Sequence, residues 1–180
     1  MSISPEFPLL QQARAFDLQT LSAVYDRYSP VVYRCAYRVL NDMQLSEDCV
    51  AEVFGQLLHA LGSKGERMHD MESYLMHGAL KWIDTHLQRQ SQHELPSEAT
   101  YLPHERHERI EAEDVRSALQ QMASDQRAVL LLKFLEGWDD QQIAAVLDVP
   151  TITLTLHERY KLALQELSSR LQDIRPEVAP

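Results

Sequence analysis

The sequence predicts an all-α protein built as two small helical domains joined by a polar linker. Three observations predict it. Glycine is scarce, at 5 in 180 residues, whereas the strong helix formers Leu, Ala, Gln and Glu are abundant. Apolar residues recur at three- and four-residue steps along most of the chain. Between them, residues 91–111 (SQHELPSEATYLPHERHERIE) lose that rhythm and hold two prolines, three histidines and many charges. The expected organisation is a domain over 1–90, a flexible linker over 91–111 and a second domain over 112–180.

The elements follow in order. A first helix is expected over Asp17–Tyr28, with Leu18, Leu21, Val24, Tyr25 and Tyr28 on one face. Ser29-Pro30 should end it and start another, because Ser caps helices and Pro suits a first turn. That second helix runs to Leu40 and buries Val32, Ala36, Val39 and Leu40, and Asn41-Asp42 ends it. Ser46 is the expected cap of a third helix, with Glu47 and Asp48 at its positive end. Val50, Val53, Phe54, Leu57, Leu58 and Leu61 form its apolar stripe, and Gly62-Ser63-Lys64-Gly65 is a loop. A fourth helix spans about Met71–Gln90 around Leu75, Ala79, Ile83 and Leu87.

Beyond the linker, helices are expected over Ala112–Met122, Ser124–Leu135 and Asp140–Leu147. A last helix runs from Thr151 to about Leu171, with Ile152, Leu156, Tyr160, Ala163, Leu164, Leu167 and Leu171 on its buried face. Asp139 or Asp140 can cap the short helix that contains Ile143, Val146 and Leu147. Asp148 stands where the chain must turn, and Asp tolerates left-handed backbone. Pro150 stops that helix and Thr151 can cap the next. This is the layout of a helix-turn-helix, whose second helix enters the DNA major groove.

Charge sets a constraint on that reading. The chain carries −10 overall, and residues 1–90, 91–111 and 112–172 contribute −3 each. Proteins that hold phosphates alone do so with clustered Lys and Arg. DNA contact here must come from a local patch, or depend on a larger partner that holds the DNA. Cys35 and Cys49 are far apart and outside any CxxC, so they read as reduced packing residues of a cytoplasmic protein. No apolar run reaches the roughly 18 residues of a membrane span, and no signal peptide or membrane insertion is expected. His93, His104 and His107 lack a scaffold that would fix a metal geometry. No metal or other cofactor is expected. Nor is there a phosphate-binding Gly loop, an activated nucleophile or a carboxylate pair in a cleft, so no enzyme is expected.

Three surfaces remain as candidates. On the third helix, Asp48, Glu52 and Gln56 lie four residues apart and stack into an acidic ridge that suits a basic partner; the alternative is a plain solvated face. On the fourth, Tyr74, His77, Lys81, Trp82 and Thr85 lie opposite the core stripe, with Arg89 near the end. Exposed aromatics stack on unpaired bases, but Trp82 and Tyr74 equally suit packing. On the last, Thr151, Thr153, Thr155, His157, Arg159 and Lys161 are candidate DNA contacts. Threonine hydroxyls bond phosphates or bases, and its methyl meets thymine.

Taken together, the chain resembles bacterial RNA polymerase sigma factors of the extracytoplasmic-function type. The stretches that carry the likeness are YDRYSPVVYRCAYRVLND (Tyr25–Asp42), SEDCVAEVF (Ser46–Phe54) and ALQQMASDQRAVLLLKFLEGWDDQQIAAVLDVP (Ala118–Pro150). The last includes Gln126-Arg127, Glu136-Gly137 and Ile143-Ala144. The resemblance implies that the third helix docks on the polymerase core through Asp48, Glu52, Gln56 and Phe54. It implies that the fourth helix opens and reads the downstream promoter element, and that the last helix reads the upstream one. The expected function is a transcription initiation factor, with core polymerase and promoter DNA as partners; the family often adds an anti-sigma factor. This chain departs from the family in having few cations on the fourth and last helices. The alternative reading is therefore a sigma-like protein-binding module that has lost promoter recognition.

Overall fold

The computed structural model describes residues 7–63, 68, 70–93, 112–149 and 153–174. Among them every regular element is a helix, so the all-α expectation holds. The elements are α1 (Phe7–Arg14), α2 (Leu18–Leu40), α3 (Met43–Gly62), α4 (Met71–His93), α5 (Ala112–Gln121), α6 (Ser124–Leu130), α7 (Asp140–Val146) and α8 (Thr153–Ile174). A single π-helical turn, Leu131–Leu135, extends α6. The chain forms two compact units. One comprises Met1–Trp82 with Ala145–Val149, the other Ile83–Ala144 with Pro150–Pro180.

In the first unit, α2 is one continuous helix, not the two expected around Ser29-Pro30. Pro30 lacks the N–H that would reach back one turn, a defect worth about 3 kcal/mol in a helix interior. The burial pattern explains its tolerance. Val24 and Tyr28 before it, and Val32, Cys35, Ala36 and Val39 after it, are buried in one core. Breaking the helix would turn one of those groups away. Asp17 starts α2 by accepting the Thr20 backbone N–H at 2.9 Å and the Thr20 hydroxyl at 2.6 Å. Asn41 ends it in left-handed backbone (φ 53°), its N–H returning to the Tyr37 carbonyl. Leu18 and Tyr25, assigned to the buried face, are exposed instead. Leu18 is the first helical residue and lies too near the end to reach the core.

α3 begins three residues before its expected cap. Asp42 is the cap, accepting from Leu45 N at 2.9 Å. Ser46 lies inside the first turn, fully buried, its hydroxyl donating to the Asp42 carbonyl at 2.6 Å. Two cap-type residues stood four apart, and the one with extended backbone took the role. The α3 stripe is buried as expected, except for Leu58, which is exposed. α4 is capped by Asp70, which accepts from the N–H groups of Glu72 and Ser73. Its expected core residues Leu75, Ala79, Ile83 and Leu87 are all buried. Gly78 allows α3 close: a Cβ there would lie 3.3 Å from a Val53 methyl.

In the second unit, α8 packs against α5 and α6. Arg127, on α6, is buried. One amino group donates to the carbonyls of Leu119, Gln120 and Met122 at 3.0, 3.0 and 3.2 Å, closing the end of α5. The other meets the Asp84 carboxylate. Only arginine offers enough donors for this arrangement. The expected single helix over Ser124–Leu135 is instead α6 plus the π turn. Glu136 N–H reaches back five residues to the Leu131 carbonyl, and Gly137 then adopts φ +71°. On α8, Leu156, Tyr160 and Ala163 are buried as expected, whereas Leu164 is exposed and Leu167 and Leu171 are half-buried. Ile152, Pro150, the loop positions Lys64 and Gly65, and linker residues 94–111 with His104 and His107 lie outside the described residues.

Candidate functional site

The α3 ridge forms as its spacing requires. Asp48, Glu52 and Gln56 are exposed and continue a row that starts at Gln44. Amides bridge the carboxylates along the helix: Gln44 Nε2 donates to Asp48 at 3.3 Å, and Gln56 Nε2 to Glu52 at 3.0 Å. Because an amide is neutral, these bonds do not cancel the carboxylates' charge. Phe54 does not join the ridge. It lies in the core, its ring 4.9 Å from that of Tyr25. A helix places residue 54 about 180° from the ridge's mean direction set by 52 and 56, so the two roles cannot share a surface. Beside the ridge, a cleft of about 360 Å³ opens between α2 and α3, lined by Tyr25, Pro30, Tyr33, Arg34, Glu47 and Val50 among others.

On α4, His77, Lys81, Thr85 and Arg89 are exposed at four-residue steps and form one stripe. The two aromatics are half-buried. The Tyr74 hydroxyl lies 3.5 Å from the Gln56 carbonyl, and His77 Nδ1 lies 3.0 Å from the Val146 carbonyl. Each aromatic is therefore partly packed and partly exposed. The packing and recognition readings of Tyr74 and Trp82 are not exclusive.

α7 and α8 make the helix-turn-helix. Asp139 is the α7 cap, in a reciprocal pair with Gln142: Gln142 N–H donates to the Asp139 carboxylate at 2.8 Å, and Asp139 N–H to the Gln142 side chain at 3.0 Å. Asp148 turns the chain with φ 51°, as its position predicted. Thr151 lies outside the described residues. Thr153 and Thr155 open α8, and only their backbone is described. His157 and Lys161 are exposed, while Arg159 sits 3.9 Å from the Asp125 carboxylate. Further along, Arg170 is paired with Glu166 at 2.7 Å. The helix thus presents its basic residues partly neutralised.

One arrangement escaped the sequence reading. Asp140, free of the capping task, accepts from Lys133 Nζ at 2.7 Å and from the Tyr160 hydroxyl at 2.8 Å. Those two hydrogen bonds hold its carboxyl below the usual carboxylate range. Burial, then the Asp140 bond and charge, push the Tyr160 phenol up. The signal available was the Asp139-Asp140 doublet itself, since a helix start needs one cap. Elsewhere, burial pushes the Cys49 thiol up to about 12, which suits a packing residue and not a nucleophile. Among the described residues no cluster of His, Cys, Asp or Glu fits a metal ion. No described helix is long and apolar enough to cross a membrane.

Known proteins supply independent evidence. Residues 24–92 match the family model for sigma-70 region 2, and residues 112–154 that for sigma-70 region 4. The ECF RNA polymerase sigma factor SigX of Bacillus subtilis is 26% identical over 147 residues, covering 72% of this chain and 73% of SigX. Among solved structures, CnrH in complex with the cytosolic domain of CnrY has a TM-score of 0.64 at 19% identity, covering 92% of this chain and 96% of that one. The sigma factor RpoE in complex with the anti-sigma factor NepR, from Bartonella quintana, has a TM-score of 0.55 at 15% identity, covering 84% and 96%. These two share the fold. The two regions come in family order, α3 with its acidic ridge falls in the first, and the turn into α8 falls in the second. The chain belongs to the sigma-70 family as a factor of the extracytoplasmic-function type, and it directs RNA polymerase to promoters.

Proposed function

We propose a division of that work among three surfaces. The α3 ridge of Asp48, Glu52 and Gln56 docks on a basic surface of the polymerase core, with Phe54 supporting the helix from below. The α4 stripe of His77, Lys81, Thr85 and Arg89, with the edges of Tyr74 and Trp82, opens and reads the downstream promoter element. The start of α8, with Thr151, Thr153, Thr155, His157, Arg159 and Lys161, reads the upstream one. The observation that carries this reading is the four-residue registry on α3 and α4. Each helix keeps one face in the core and presents a continuous polar row outward.

The weak cation content of α4 and α8 fits a factor whose affinity comes from the polymerase. Two modest DNA contacts carried on one chain gain by effective concentration once that chain is anchored. The factor works in the cytoplasm and catalyses no reaction itself. By likeness to RpoE with NepR, an anti-sigma protein holds it inactive.

The test is reconstitution with bacterial core polymerase and transcription on genomic fragments. Wild-type chain gives promoter-specific transcripts. The double substitution Asp48→Lys with Glu52→Lys weakens core binding by about tenfold or more, because two attractive charges become repulsive at one surface. Undiminished core affinity in that folded variant would refute the ridge assignment.

A further inference from the structure

Three elements of the second unit meet at one carboxylate oxygen. Asp140 opens α7, Lys133 comes from the π turn and Tyr160 from the middle of α8. The contact has a second layer. The Lys133 ammonium lies 5.3 Å from the centre of the Tyr160 ring, and the Phe134 and His157 rings meet Tyr160 edge-on at 6.4 and 6.1 Å. Capping does not explain Asp140, because Asp139 with Gln142 already caps α7. Nor does core packing explain the hydroxyl of Tyr160. Leu156 and Ala163 bury the same face of α8 without polar atoms.

Apolar packing holds a helix down but fixes its roll poorly, whereas a directed hydrogen bond fixes an angle. Successive helical residues point about 100° apart, so a small roll at Tyr160 re-aims His157, Arg159 and Lys161 together. We infer that Asp140, Tyr160 and Lys133 form a positioning device that sets the rotation of α8, and with it which upstream promoter sequence the helix accepts. The inference rests on α8 being the upstream reader. None of the three residues need touch DNA; they act through α8.

The experiment uses the full chain on core polymerase. A fully randomised promoter library transcribed by the wild-type holoenzyme yields its preferred sequence. The readout is the ratio of transcripts from that promoter to those from a copy with its upstream element scrambled. Tyr160→Phe, which keeps the ring and removes the hydroxyl, lowers the ratio about tenfold, the size of one lost discriminating contact. Output from the scrambled copy and affinity for core stay at wild-type level. Asp140→Ala behaves like Tyr160→Phe, and Asp140→Asn, which retains an oxygen for the Tyr160 hydroxyl, restores most of the ratio. A merely structural role predicts a different pattern, with both outputs falling together and the ratio intact. That pattern, or an unchanged ratio in Tyr160→Phe, overturns the positioning role. A wild-type holoenzyme that prefers no upstream sequence overturns the α8 assignment beneath it.

Discussion

At the scale of single residues, neighbours of one type divide labour in ways that set function. Asp139 caps α7 while Asp140, next to it, ties α7 to α8. Both were legible as cap candidates; the second role was not, since it depends on a tyrosine twenty positions away. Arg127 is similar. Its pairing with Gln126 is a family mark, yet its task of closing the α5 carbonyls is visible only once α5 and α6 are folded together. Arg159 is a DNA candidate by its place on the last helix, but the Asp125 carboxylate, 3.9 Å away, competes for it. An exposed pair of this kind is worth at most about 1 kcal/mol and is screened by salt. Asp125→Asn therefore frees Arg159 at little cost in stability. Holoenzyme carrying it is expected to bind promoter DNA about threefold more tightly at low salt, with the gain fading as salt rises. Equal affinity at all salt concentrations would mean that Arg159 does not face the phosphates.

At the scale of elements, faces were more legible than ends. The core stripes of α3 and α4 came directly from spacing, because burial on one side of a helix imposes its period on the sequence. The boundaries depended on rivalry among caps. Ser46 reads as the cap of α3, but Asp42 takes that role, and Ser29-Pro30 reads as a start although it lies mid-helix in α2. Local preference lost there to a shared core: Tyr28 and Val32 flank Pro30 and are both buried. That resolution leaves a measurable cost in the native protein. Pro30 is exposed, so Pro30→Ala removes the backbone defect without opening a cavity. It is expected to stabilise the chain by about 1–3 kcal/mol, the lower part reflecting adjustment already made around the proline. Thermal or urea unfolding measures it directly. A less stable Pro30→Ala chain would show that the ring at Pro30, which lines the cleft beside α3, contributes packing that outweighs the missing hydrogen bond.

For the molecule as a whole, the ordered pair of regions was readable from sequence because sigma signatures are distributed through both. The charge was readable too, and it decides how such a chain works. A polyanion approached by a chain of net charge −10 gains little from long-range attraction. The basic residues of α8 are few, and two of them have acidic neighbours. Promoter choice must then be a property of the complex with polymerase. Free chain should bind a promoter fragment no more tightly than about 10 μM near physiological salt, the range of non-specific contacts. Bound to core polymerase, the same chain should hold that fragment at roughly nanomolar concentration. Titrating one labelled fragment with both species makes the comparison. Nanomolar binding by the free chain would place recognition in α8 alone, as in a self-sufficient operator-binding protein, and would remove the reason for its acidity to be tolerated.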